Sequence, residues 1–294
     1  FKNAVITDDF KQWAAQRNYV LILSTSVELE NMTVQLHKDF ANSNFAKKFG
    51  IDLTNVFFKE IKETLGGKMR MMICGGAAIN PDILEDLQGF GIMALQGYGL
   101  SEAAPMGALN PENKPKSSSC GIAFPGFDAM IAEPGADGIG EICLKGDNIM
   151  LGYYKNPEAT AETLANGWYH TGDLGIMDRH GNIFIKGRIK NMLLSSNSQN
   201  IYPEEIEDKL NNLPYVQECV VVQREDKLYG LVYPDPELIK KTNISPALLS
   251  EKMEDNRKIL NKQLPLYEQL AGIIVCDQEF EKTPKRSIKR FMYS

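Results

Sequence analysis

The sequence predicts an α/β unit, then a small β-rich unit, then an α+β unit. Three observations lead there. Between Lys68 and Leu95 two apolar runs flank a capped helical stretch, the pattern of neighbouring parallel strands joined by a helix. From Ser118 to Gly187 short strand-like runs alternate with Gly and Pro turns, as in a small, distorted β-barrel. After Lys190 amphipathic helical stretches mix with apolar strand-like runs. The predicted divisions are 1–117, 118–189 and 190–294.

In the first division, residues 19–23 read as a buried strand. Phe57, Ile61 and Leu65 recur at helical spacing with Phe58 beside them, and Gly66-Gly67 ends that helix. Residues 69–74 form the next apolar strand. Gly75, Gly76, Ala77 and Ala78 follow with no bulky side chain, so a flat ligand can approach this turn; a plain strand-to-helix turn reads the same way. Asn80 caps a helix with Pro81 at its first position, Ile83 and Leu87 on one face and Gly89 at its end. Residues 92–95 are the next strand. In Gln96-Gly97-Tyr98-Gly99-Leu100-Ser101-Glu102 the glycines permit close approach and Tyr98 offers a stacking face. Ser101 offers a hydroxyl for a phosphate oxygen, and Glu102 is a hard oxygen ligand for magnesium. The plain alternative is a strand-end turn with an exposed glutamate. Residues 103–117, rich in Pro, Asn and Lys, read as a loop.

In the second division, 127–132, 140–145 and 182–186 read as strands, and Asn156-Pro157 starts a short helix over 159–164. In the third, Pro203 opens a helix with Ile206, Leu210 and Leu213 inward. Residues 218–222 and 228–233 are paired strands. Ser245-Pro246 opens a helix with Leu249, Met253, Leu260 and Leu264 inward, and 272–276 is a last strand.

Composition narrows the class. Of 294 residues 43% are hydrophobic and 24% charged, ordinary for a globular protein of two or three compact units. A net charge of −6 argues against nucleic acid as a partner. The five cysteines show no Cys-x-x-Cys pair, and Cys74, Cys143, Cys219 and Cys276 lie in or beside apolar runs as small core residues would. That pattern predicts a reducing, cytoplasmic setting. No apolar run approaches the roughly 18–20 residues that span a bilayer. There is no signal peptide, and the chain starts at Phe1 amid ordinary folded sequence, so a fragment is expected.

The densest stretch runs from Trp168 to Glu205. Asp173 sits between a Thr-Gly step and Leu-Gly, which predicts a sharp bend and an open carboxylate. Arg188 follows Gly187. A carboxylate accepts from two vicinal hydroxyls and a guanidinium donates a fork of bonds, so the two can hold a ribose; one surface ion pair is the other reading. His170 reads as a supporting or solvated neighbour.

These stretches resemble the adenylate-forming (AMP-binding) superfamily. Its Tyr-x-Thr-Gly-Asp, Gly-Arg hinge and Asn-Ile-x-Pro-x-Glu-Ile-Glu motifs match 169–173, 187–190 and 200–207. Its Tyr-Gly-x-Thr-Glu matches 98–102, with Ser101 keeping the hydroxyl. The resemblance implies the end of a large α/β domain with a distorted β-barrel subdomain, then a small mobile α+β lid turning about Lys190. It places Gly76, Ala77 and Ala78 along the adenine. It makes Gln96, Gly97, Tyr98, Gly99, Ile185 and Arg188 nucleotide contacts, Ser101 a phosphate contact, Glu102 the magnesium ligand and Asp173 the ribose ligand.

The resemblance covers about residues 60–294. The family's phosphate loop has no match, since Ser24-Thr25-Ser26 lacks its glycines and lysine. Ser287 stands where the family carries its C-terminal catalytic lysine; Lys285 is assigned that role, Lys289 is the alternative, and a solvated basic tail is the plain reading. Residues 195–199 and 187–192 look most like long-chain fatty acyl-CoA synthetases. The implied function is ATP-dependent conversion of a fatty acid to acyl-AMP and transfer to CoA, with Mg2+ and with peripheral membrane contact through the fatty substrate. The missing loop argues against activity of this stretch alone. Loading of a carrier-protein thiol is one alternative, and a non-catalytic nucleotide-binding or interaction module is another.

Overall fold

The computed structural model describes residues 21–23 (backbone only), 63, 67–76, 79–89, 91–195, 197, 199–283 and 287–293. Most of the expected helix at 54–65, together with Ala77, Ala78 and Lys285, lies outside the described residues. The chain forms two compact units, one of Phe1–Thr171 with Gly175–Ile185 and one of Gly172–Leu174 with Lys186–Ser294.

In the first unit, β1 (Leu21–Leu23), β2 (Met71–Cys74), β3 (Met93–Gly99), β4 (Met106–Leu109) and β5 (Ile122–Ala123) form one sheet in that order. β1–β2 and β2–β3 pair in parallel, Cys74 opposite Gln96. Helix α1 (Pro81–Gly89) joins β2 to β3 as expected. Asn80 Oδ1 accepts from Asp82 N at 2.9 Å, and Ile83, Leu84 and Leu87 are buried.

Two expectations are corrected here. β3 runs on through Gly99, so Gln96–Gly99 lie in a strand, and the expected loop at 103–117 contains β4, antiparallel to β3. The glycines explain both. A Cβ on Gly99 would lie 2.1 Å from Pro105 O, and one on Gly97 would lie 3.3 Å from Ala108 O. They admit β4, a run of four residues too short for periodicity to reveal.

A second sheet has the order β10-β9-β7-β6, from β6 (Asp128–Ala132), β7 (Gly140–Lys145), β9 (Trp168–Met177) and β10 (Ile183–Arg188), with β8 (Leu164–Ala165) paired to β9. Helix α2 (Pro157–Thr163) starts where Asn156 Oδ1 accepts from Ala159 N. Ile142, Leu144, Tyr169 and Ile183 form one core with Tyr98, Ala103, Ala108 and Cys120.

The second unit opens with a small ladder, β11 (Leu193–Leu194) and β12 (Asn200–Ile201), then helix α3 (Pro203–Asn211). β13 (Val216–Arg224) and β14 (Lys227–Pro234) pair antiparallel across Glu225-Asp226, both at positive φ as a two-residue hairpin turn requires. Helix α4 (Pro236–Thr242) was not expected, although Asp235 caps it through Glu237 N and Leu238 N. Helix α5 (Pro246–Asn261) and β15 (Leu270–Val275, parallel to β14) follow. Leu213 and Leu264 lie beyond their helices but still pack on the core.

The sheet is covered on both faces because alternate side chains point oppositely. Cys219, Val221 and Val232 meet Ile206 and Leu210 of α3 and Leu249, Met253 and Leu260 of α5. Val220, Val222 and Leu231 meet Phe280, whose ring stands edge-on to Tyr293 at 5.0 Å. The C-terminal basic residues are therefore not a solvated tail, among the described residues. Lys282 pairs with Glu218 at 2.7 Å, Lys289 with Glu281 at 3.3 Å, and Arg290 with Glu207. Four cysteines are buried; Cys276 is the half-buried one, and Cys120 joins the core instead. No helix among the described residues is long and apolar enough to cross a membrane.

Glu207 also accepts from Val221 N. Burial pushes its carboxyl up to about 8, against the pull of Arg290 and of that N–H. A carboxyl raised in the folded state holds its proton better there than in the unfolded chain. Its stability contribution is thus full below the ordinary carboxylate range and is lost as pH rises through about 8. The melting-temperature difference between the native chain and Glu207→Gln should change across that window, the native chain losing more stability as pH rises. Parallel melting curves with pH would rule this out.

Candidate nucleotide-binding site

The predicted residues fall into two groups, each within one unit. In the first, Gly75 and Gly76 follow β2. Gly76 has φ +84, which only glycine adopts readily, and nothing lies within 4 Å of where its Cβ would be. A Cβ on Gly75 would meet Gly97 O at 3.4 Å, so this open turn borders β3. Gln96 is buried, and its carbonyl accepts from Asn110 N at 3.2 Å. Tyr98 is 6% exposed and packs in the core.

Ser101–Ala103 form one 3-10 turn, with Ser101 exposed and Glu102 half-buried. The turn is held from the segment after β7. Met150 N donates to Glu102 O at 2.8 Å. Asn148 Nδ2 donates to Ala103 O at 2.6 Å and Met106 O at 3.0 Å. Tyr153 Oη donates to Glu102 Oε1 at 3.1 Å. From sequence, residues 146–154 read as a structural run resembling the family's, and Asn148 and Tyr153 have no functional role there. The signal available was the polar Asp147-Asn148 pair and the tyrosines of an otherwise apolar turn.

In the second group Gly172, at φ +71, bends β9 just before Asp173. The expected open carboxylate is corrected: Asp173 is 6% exposed, and its Oδ1 accepts from Arg188 Nε at 2.6 Å. The partner lies on β10, 15 positions on. The Arg188 side chain keeps 43% of its surface exposed. Ile185 and Lys190 are exposed, Lys190 in the 3-10 turn Ile189–Asn191.

Helix α3 holds the stretch 186–191. Lys186 Nζ pairs with Glu205 Oε1 at 2.6 Å, and Asn191 Nδ2 donates to Glu204 Oε1 at 2.5 Å. Glu204 Oε2 would lie 2.7 Å from a Cβ on Gly187, so the carboxylate closes over this glycine and would have to swing aside for a larger residue. Glu204 and Asn191 were also unassigned from sequence; only their contact in the fold identifies them.

Each group by itself offers chemistry that suits part of a nucleotide. A carboxylate and a guanidinium sit together, an open glycine turn borders a strand, and a hydroxyl and a carboxylate share one turn. Glu102 also fits Mg2+, which takes one or two carboxylates and completes its shell with water and phosphate oxygens.

Comparison with known proteins agrees. The family model described as AMP-binding enzyme matches residues 5–154. A feruloyl-CoA synthase of Amycolatopsis sp is 37% identical over 172 residues, 56% of this chain and 35% of that protein. A long-chain-fatty-acid–CoA ligase of Escherichia coli O6:H1 is 35% identical over 197 residues, 64% of this chain and 35% of that one. Among solved structures, the ATP-bound RpMatB-BxBclM chimera B1 superposes at TM-score 0.65 with 25% identity, covering 81% of this chain and 49% of the other. The chain thus spans about a third of the length of the curated relatives it matches. With half its residues matched by the family model and an adenylate-forming fold, the chain belongs to the AMP-binding enzyme family.

Proposed function

We propose that this chain is the nucleotide-binding part of an ATP-dependent acid–CoA ligase. In the first step the acid's carboxylate attacks the α-phosphate of ATP, forming acyl-AMP and releasing pyrophosphate. In the second the CoA thiol attacks the acyl carbonyl and AMP leaves. No covalent enzyme intermediate is required, so the protein's work is positioning and charge stabilisation. The observation that carries the reading is the Asp173–Arg188 pair, a buried carboxylate held beside an arginine whose side chain is partly exposed. Asp173 would accept from the ribose hydroxyls while Arg188 steadies the ribose. Glu102 would hold Mg2+, which neutralises phosphate charge when bound, and Ser101 would meet a phosphate oxygen. Gly76 would leave room for the adenine. Lys190 is the proposed pivot of a lid formed by residues 190–294, with 118–189 as the subdomain before it. Lys285 is the proposed cation for adenylation.

The proposed acid is a long-chain fatty acid, supported by the hinge sequence 187–192 and by the fatty-acid ligases among the relatives. An aromatic acid is the second reading, favoured by the 37% identity to feruloyl-CoA synthase.

Calorimetric titration with non-hydrolysable acyl-AMP analogues, one fatty and one feruloyl, tests both points. The fatty analogue should bind more tightly, and Asp173→Ala should weaken it at least about tenfold, the lower end for a hydrogen bond to a charged group. Asp173→Asn, closer in shape, guards against a misfolded variant. Equal binding by folded variants, or no saturable binding to the native chain, would remove the nucleoside site from this chain. Tighter binding of the feruloyl analogue would select the aromatic acid.

A further inference from the structure

We propose that Glu141, Cys143 and His170 form a zinc site that clips β7 to β9. Glu141 and Cys143 are two residues apart on β7, so their side chains share one face of the strand. His170 lies on β9, the next strand in the sheet. His170 Nδ1 is 2.7 Å from Glu141 Oε2 and 3.5 Å from Cys143 Sγ. One ligand atom from each residue lies within 4.8 Å of the other two. Around a tetrahedral zinc with bonds of about 2.0–2.3 Å, ligand atoms stand roughly 3.3–3.8 Å apart. Small side-chain shifts therefore convert the cluster into three ligands.

The ligand types choose the ion. A thiolate with an imidazole suits zinc and disfavours magnesium or calcium, which prefer all-oxygen shells. Access also fits. Cys143 is fully buried, whereas the His170 and Glu141 side chains keep 29% and 19% of their surface exposed. An ion can enter from that side and take a water as its fourth ligand. A nucleophilic cysteine is the competing use of the same residues. Cys143 is fully buried, out of reach of a substrate in solution, which disfavours that use. The site needs no nucleotide, and its failure would leave the proposed function untouched.

The test strips the chain with a chelator and titrates Zn2+ against a chromophoric competitor, then repeats the titration with Co2+. One equivalent should bind, Co2+ should give a thiolate charge-transfer band in the near ultraviolet, and Zn2+ should raise the melting temperature. Cys143→Ser should abolish the band, and His170→Gln should weaken zinc at least tenfold. His170 is only half-buried, so the second variant should fold even where the first does not. Binding well below one equivalent, no thiolate band, or unchanged affinity in folded His170→Gln would overturn the site. Ions held at His37 or His180 would show that last pattern.

Discussion

Glu207→Ala should destabilise the second unit by about 3 kcal/mol, the upper end for leaving buried donors without their acceptor. The side chains of Glu207 and Arg290 are 10% and 20% exposed, and the carboxylate also accepts from Val221 N. Alanine leaves a guanidinium and a strand N–H without that acceptor. Because Arg290 anchors the segment that carries Ile288 and Tyr293 onto the sheet, the loss should extend to Phe280 and its face of β13 and β14. Urea unfolding gives the magnitude, and amide exchange of Val220 and Val222 gives the place. Arg290→Met should cost less, because an apolar chain replaces the guanidinium and Glu207, already inclined to hold a proton, can stay neutral. If Glu207→Ala lowers stability by well under 1 kcal/mol, the pair is a solvated contact and the C-terminal segment is held by apolar packing alone.

Gly99→Ala should cost about 2–3 kcal/mol, the range for forcing a methyl into a closed space. The added carbon would stand 2.1 Å from Pro105 O, the carbonyl that accepts from Leu100 N at 2.8 Å. Since that atom belongs to backbone, β3 and β4 must part. The turn between them carries Ser101 and Glu102, so nucleotide-analogue binding should weaken together with stability. Gly76→Ala is the contrast, with open space around its Cβ and strain from its positive φ alone, so its cost should be smaller. Equal costs for the two variants would show that β4 yields easily. Gly99 then serves the ligand rather than the strand.

Much of the fold was legible in sequence because local chemistry agreed with it. Asn80-Pro81, Asn156-Pro157 and Ser245-Pro246 each opened the expected helix, since a side-chain acceptor and a fixed φ act within one turn. The apolar runs at β2, β7 and β14 fell within a residue or two of their expected ends. β4 was missed because four residues carry no period, and α4 because its Asp-Pro start leads into a helix with no buried residue.

The sequence by itself determined several helices, most strands and the family, and it named the candidate ligands, because these follow from residue type, short-range spacing and ordered motifs. Only the tertiary structure decided what those ligands touch. Asp173 proved buried against Arg188 rather than open, Glu102 proved tied to Tyr153, Glu204 proved to sit over Gly187, and Glu207 proved to hold the C-terminal segment. Each contact joins residues that are distant in the chain. Its energy depends on burial and on the direction of approach, and neither is written in the order of the residues.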